Sequence, residues 1–241
     1  MAKEKLTPFS APDDRQQFVN FIFFKVDPAW RRLPARQRAQ GKKDFAKVVK
    51  KYEKSLLMIP YSLVGIRGDA EVMLWRIGYD LELFQKMTAE LLATGLGKFM
   101  SVPYSYLAMT KRSIYVDKHV HAGQEGRRVK LHPGEFKFLF IYPFLKTRAW
   151  YLLSQEERQK MMDEHIRIGH KYPTVRLNTT YSFGLDDQEF VLAFESDKPQ
   201  DFLDLVMELR GSQGSLYTLR DTPIFTCARY KLPQVLDLLG G

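Results

Sequence analysis

The side chains that could do chemistry in this sequence are an imidazole, a phenol and an amine in its second half. His165 follows Met161 and Met162 by one turn and precedes Ile168 and Gly169, in a segment opened by Ser154 and, three residues on, Glu157. That Ser-x-x-Glu pattern is a capping box, so the segment reads as a helix with His165 on its apolar side. An imidazole so placed has two readings: a packing histidine of a core or interface, or an axial ligand offered to haem iron. His170 points elsewhere and sits beside Lys171. Tyr142-Pro143-Phe144-Leu145-Lys146 closes a very apolar run, which puts a phenol and an amine where a cavity could open. A buried tyrosine ordinarily just finds a hydrogen-bond partner, and Trp150-Tyr151 reads as packing. His119, His121 and His132 lie in a stretch rich in Gly, His and basic residues over 111–135, without cysteine or carboxylate at a metal-ligand spacing. Phosphate-binding glycine loops, the nucleophile elbow and the HExxH zinc pattern are all missing from the sequence. Cys227, in an aromatic strand-like run, reads as core.

The elements that must position these groups come in two similar sets. A shift of 118 positions carries Asp69, Glu71 and Leu74 onto Asp187, Glu189 and Leu192, and Phe84, Glu90 and Leu91 onto Phe202, Glu208 and Leu209. The same shift lays Phe18 and Phe21 on Phe136 and Leu139, and Phe24 on Tyr142. In the first set, strands are expected over 18–26, 61–67, 70–77 and 102–110. Phe45, Val48, Val49 and Tyr52 mark one helix, and Leu83, Phe84, Met87, Leu91 and Leu92 another that ends near Gly95 and Gly97. In the second set, strands are expected over 136–145, 175–183, 188–195 and 222–230. Its helices run from Ser154 to about Tyr172, where Pro173 stops the first, and from Pro199 to Arg210. The pattern implies an α+β chain of two tandem ferredoxin-like (βαββαβ) halves. Their bare sheet faces should pack or close into a dimeric α+β barrel-type subunit, since neither can stay wet. The expected division is an N-terminal half over 1–112, a connecting loop near the pocket over 113–135, and a C-terminal half over 136–241.

Composition bounds the partners. Of 241 residues, 45% are hydrophobic and 13% aromatic, enough for a real core and too many for a disordered chain. A single cysteine excludes an intrachain disulfide framework and cysteine-rich metal centres. No run is long and apolar enough to span a bilayer, and the opening residues lack the apolar stretch of a secretion signal, so a soluble, cytoplasmic protein is expected. The net charge of +9 suits nucleic acid, an anionic membrane surface or a polyanionic small molecule. Ten basic side chains fall within 31–54 against only Asp44 and Glu53. That stretch lacks the interleaved aromatics of a base-stacking surface, so a solvated face is expected there rather than a nucleic-acid site.

The run Tyr142-Pro-Phe-Leu-Lys146, then Trp150-Tyr-Leu-Leu-Ser154, Glu164-His165-x3-Gly169-x2-Tyr172-Pro173 and Gly184-Leu-Asp-Asp, resembles the chlorite dismutase-like superfamily. Within it the pattern is most similar to the coproheme decarboxylase branch of actinobacterial type. The resemblance implies haem bound in the C-terminal half of a homopentameric enzyme. It assigns His165 as the axial ligand to iron, Tyr142 as the tyrosine whose radical takes hydrogen from a propionate, and Lys146 as its neighbour. It assigns Arg210 and Ser215 to the propionates, places Trp150 and Leu177 in the cofactor pocket, and matches His119 to a distal base for peroxide. The implied reaction is oxidative decarboxylation of iron coproporphyrin III, at once substrate and cofactor, to haem b with hydrogen peroxide. A transient contact with the ferrochelatase that supplies the substrate would go with it.

The rival readings on the same scaffold are a chlorite dismutase or generic haem peroxidase, or a haem protein without catalysis. Chlorite-splitting members carry a distal arginine where this chain has Leu177, and a carboxylate behind the axial histidine where it has Gly214. Arg176 is adjacent to Leu177, but strand alternation turns it to the opposite face. A flat apolar disc with an anionic rim needs apolar walls and a few fixed cations, and arginine grips carboxylates in two places. The porphyrin would bring the oxidising power and the protein the placement.

Overall fold

A computed structural model describes residues 15–115 and 130–240. The chain divides into two compact units, one taking the chain up to Leu107 together with the stretch from Ala228 onward, the other running Ala108–Cys227. The elements are β1 (Phe18–Val26), α1 (Ala29–Arg32), α2 (Ala35–Tyr52), β2 (Leu57–Ser62), β3 (Val72–Gly78), α3 (Leu81–Ala93) and β4 (Met100–Met109). There follow β5 (Phe138–Lys146), α4 (Arg148–Leu152), α5 (Gln155–Gly169), β6 (Arg176–Tyr181), β7 (Phe190–Ser196), α6 (Pro199–Arg210), β8 (Thr218–Arg220), β9 (Phe225–Arg229) and α7 (Leu232–Asp237). The fold is mixed α+β with antiparallel pairing.

In the first unit the strands lie in the order β4-β1-β3-β2. One face of the sheet meets the helices: Phe24, Leu74 and Val72 pack with Phe45 and Val49 of α2, and with Phe84, Met87 and Leu91 of α3. Gly41 is required where α2 crosses the chain after α3, because a Cβ there would come within 2.9 Å of the Leu96 nitrogen. Two expectations are corrected in this unit. The second strand begins at Leu57 rather than at 61. Residues 63–67 turn instead, with Ile66 and Arg67 N–H both donating to the Leu63 carbonyl and Gly65 at a φ of 76°. The expected half over 136–241 also ends early. Val235, Leu236 and Leu239 belong to the first unit's core, and Lys42 pairs with Asp237 there.

In the second unit the order is β6-β7-β5-β9, with β8 also hydrogen-bonded to β5. The register sets Tyr142 opposite Leu192, Phe140 opposite Phe194, and Leu177 opposite Phe194. Residues directly opposite share a face, so Phe140, Tyr142, Phe144, Leu192, Phe194 and Leu177 look the same way. That face carries the unit's core, formed with Ile168 of α5 and with Phe202 and Leu205 of α6. The capping box opens α5 as expected: Glu157 N–H donates to Ser154 Oγ, and Ser154 N–H donates to Glu157 Oε2. The helix over 199–210 matches its expected bounds. Short α4 and β8 were not legible as separate elements.

Candidate functional site

All the described candidate residues lie in the second unit, on β5, β6, α4, α5, the end of α6 and the turn Gln213–Tyr217. His165 is half-buried on α5. Burial, helped by the nearby Lys146 charge, lowers its pKa to about 4, so the imidazole is neutral at ordinary pH. It makes no hydrogen bond among the described residues. A neutral imidazole with a free lone pair on an otherwise apolar face is the donor that haem iron takes.

Behind His165, α5 is tied to the turn Gln213–Tyr217: Gln213 N–H donates to Glu164 Oε2 at 2.9 Å. Lys146, at the end of β5, donates its Nζ to the Gly214 carbonyl at 2.7 Å and lies 4.4 Å from the centroid of the Trp150 ring. Burial lowers the Lys146 pKa to about 8, against the opposing pull of Glu189. Trp150 is buried, and Tyr217 and Tyr115 flank its ring at 5.7 and 6.5 Å. Its indole is therefore held by its neighbours and supports the Lys146 ammonium.

Tyr142 is 8% exposed and stacks on Phe194 at 5.9 Å. Its hydroxyl has no hydrogen-bond partner among the described residues. Burial pushes its pKa well up, Asp221 adds to the rise and Arg210 opposes it, so the phenol stays protonated. Arg210 forms an ion pair with Asp221, and Ser215 Oγ donates to the Arg210 and Ser212 carbonyls of its own turn. Both residues expected to hold propionates thus have internal partners in this state.

Leu177 lies on the same sheet face as Phe194 and is 37% exposed there. Arg176 does turn away: it pairs with the buried Glu195 at 3.9 Å and donates to the His132 carbonyl at 2.5 Å. His119 lies outside the described residues, as does most of the 113–135 connection.

Two functional neighbours escaped the sequence reading. Asp221 had no pattern to mark it. Glu189 did, since the 118-residue shift lays Glu71 upon it. Glu71 Oε2 accepts the Val26 N–H at 2.8 Å and Glu189 Oε2 accepts the Lys146 N–H at 2.8 Å. Each carboxylate pins the end of its unit's first strand. Glu189 also accepts the Tyr151 hydroxyl at 2.6 Å.

The family model described as Chlorite dismutase matches residues 38–230. A curated protein named coproheme decarboxylase, from Mycolicibacterium smegmatis, is 29% identical over 234 residues, which is 96% of this chain and 97% of its own. Among solved structures, an arginine-to-lysine variant of chlorite dismutase from Candidatus Nitrospira defluvii superposes with a TM-score of 0.84 at 24% identity, over 92% of this chain and 94% of that one. The same enzyme in complex with imidazole gives the same values. The chain belongs to the chlorite dismutase family. It is a haem-dependent enzyme, and its residues fit that group: an unbonded neutral imidazole on α5, the exposed apolar side chain of Leu177 on the inner sheet face, and the cations Lys146 and Arg210 for an anionic rim.

Proposed function

We propose that the enzyme removes two propionates of iron coproporphyrin III oxidatively, with hydrogen peroxide, to give haem b. The observation that carries this reading is Tyr142: a buried, protonated phenol with an unbonded hydroxyl, on the sheet face that looks toward the helix of His165. The curated relative named coproheme decarboxylase supports it. When bound, the iron porphyrin would supply, from peroxide, the two oxidising equivalents that each cleavage needs. Each propionate, with one peroxide and one proton, yields a vinyl group, carbon dioxide and two waters, so atoms and charge balance.

The chain's own residues divide the remaining work. His165 would hold the iron and, being neutral, needs no proton removed first. Arg210 exchanges Asp221 for a propionate, and Ser215 turns its hydroxyl from its own turn toward the same group. Lys146 adds a second cation at the rim, with Trp150 beneath it and Leu177 on the opposite wall. Tyr142 loses an electron and its hydroxyl proton, then recovers a hydrogen atom from the propionate chain. His119 takes the proton of incoming peroxide. Leu177 and Gly214 stand against the chlorite-splitting alternative, because neither offers the cation nor the carboxylate that reaction uses.

The same reading takes the two units as tandem ferredoxin-like halves of a barrel-type subunit, assembled as a homopentamer in the cytoplasm and supplied by a ferrochelatase. The test is direct. The apoprotein is mixed with iron coproporphyrin III, titrated with peroxide, and the porphyrin weighed by mass spectrometry. Stepwise loss of two carboxyl groups supports the reading. An unchanged porphyrin, with oxygen evolved rapidly from chlorite, would replace it by the alternative.

A further inference from the structure

The basic stretch 31–54 plays no part in the site, and its charges are sorted by face. Arg36, Lys43, Lys47 and Lys50 of α2 follow one another at intervals of seven, four and three residues. At 100° per residue they fall within an arc of about 60° and span about 21 Å of helix. All four are exposed, and none makes an ion pair among the described residues. Lys54 just beyond the helix and Arg32 at the end of α1 are exposed too.

The other cations of this helix are paired. Lys42 meets Asp237 at 3.4 Å, Lys51 meets Glu90 at 2.6 Å, and Arg38 donates to the Gly240, Arg31 and Leu33 carbonyls. The acidic residue Asp44 is turned off the stripe and accepts from Gln40. The opposite face of α2 is locked into the core through Gly41, Phe45, Val49 and Tyr52. The helix therefore cannot roll its apolar side outward.

We propose that this stripe docks the protein on an anionic lipid surface. Four ammonium and guanidinium groups along one side of a helix anchored in the core can touch a plane together. A plane of anionic headgroups demands no register from them, and each is worth about 1 kcal/mol at such a surface. A specific protein partner would call for buried aromatic anchors, and no large apolar side chain of 31–54 is exposed. A nucleic-acid site would call for stacking aromatics, which the face also lacks. Docking of this kind is electrostatic and peripheral, and no described helix is long and apolar enough to cross a membrane.

The test is cosedimentation of the full-length protein with phosphatidylcholine vesicles, with and without phosphatidylglycerol, over a salt series. Binding is expected only with phosphatidylglycerol, to weaken as salt rises, and to fall about fivefold per stripe cation changed to glutamine. A control of equal charge change, with Lys98, Lys111, Lys137 and Lys198 as glutamine, should keep most of the binding. Absence of binding to phosphatidylglycerol vesicles at low salt, or equal loss in the control, would overturn the proposal. So would tighter retention on a duplex oligonucleotide than on the vesicles. None of these outcomes depends on haem, so they are independent of the proposed reaction.

Discussion

The Lys146 ammonium donates to the Gly214 carbonyl at 2.7 Å, and this bond joins the exit of β5 to the turn that backs the His165 helix. The position where chlorite-splitting relatives are expected to hold a carboxylate is here a glycine whose backbone takes a lysine. The electrostatic consequence is local: the nearby cation helps keep the imidazole unprotonated.

Lys146 loses its charge at a lower pH than an ordinary lysine, so its contribution to porphyrin binding should titrate. Its pKa is lowered to about 8, so the cation is present below that pH and lost above it. Affinity for iron coproporphyrin should fall as pH rises through about 8. Lys146→Met should abolish that fall and weaken binding about ten- to a hundredfold, the worth of one charge-assisted hydrogen bond. Because the site disfavours the charge, the same change should alter apoprotein stability by under about 1 kcal/mol. Porphyrin titration across pH and urea unfolding check both halves.

His165 makes stability pH-dependent with a definite sign. Its folded pKa of about 4 lies below the ordinary histidine value of 6.5, so between these values the unfolded chain binds the extra proton. Stability should therefore rise with pH across that window and be lost as pH falls through it, by up to about 3 kcal/mol. Unfolding midpoints of wild type and His165→Phe, measured from pH 4 to 7, should diverge progressively as pH falls, because only the wild type carries the penalty at the lower end. A variant that keeps the full slope would assign it elsewhere.

Tyr142→Phe removes one buried oxygen that has no described hydrogen-bond partner. Packing against Phe194 is kept, so stability should change by less than about 1 kcal/mol. Porphyrin binding should persist while propionate cleavage falls at least about a hundredfold, read by mass spectrometry of the product.

Arg210 and Asp221 should act in opposite directions on binding. Asp221→Asn frees the guanidinium and should tighten iron coproporphyrin by up to about fivefold, the ordinary range of an accessible ion pair. Arg210→Ala should loosen it about tenfold or more. Spectral titration of the two variants side by side distinguishes this from a merely structural pair.

Much of this was legible in the residues, for physical reasons. The strand β5 follows from its unbroken apolar run, and α5 from its capping box. Leu177 and Arg176 separate because a strand alternates. The position of β2 was not legible: residues 61–67 are apolar enough for a strand, but a left-handed Gly65 and the Leu63 carbonyl make them a turn. The return of α7 to the first unit depends on long-range packing of Val235 and Leu239, which no local pattern carries. Asp221 was invisible because its meaning lies in Arg210, which precedes it by eleven residues and meets it only once the chain has turned back.

The central claim is that the imidazole at 165 binds the iron of a tetrapyrrole. Iron coproporphyrin III added to wild-type protein and to His165→Ala, followed in the visible spectrum and by electron paramagnetic resonance, tests it directly. A histidine-ligated spectrum in the wild type that is lost in the variant, and restored there by free imidazole, is the expected result. Identical spectra for both proteins would contradict the account.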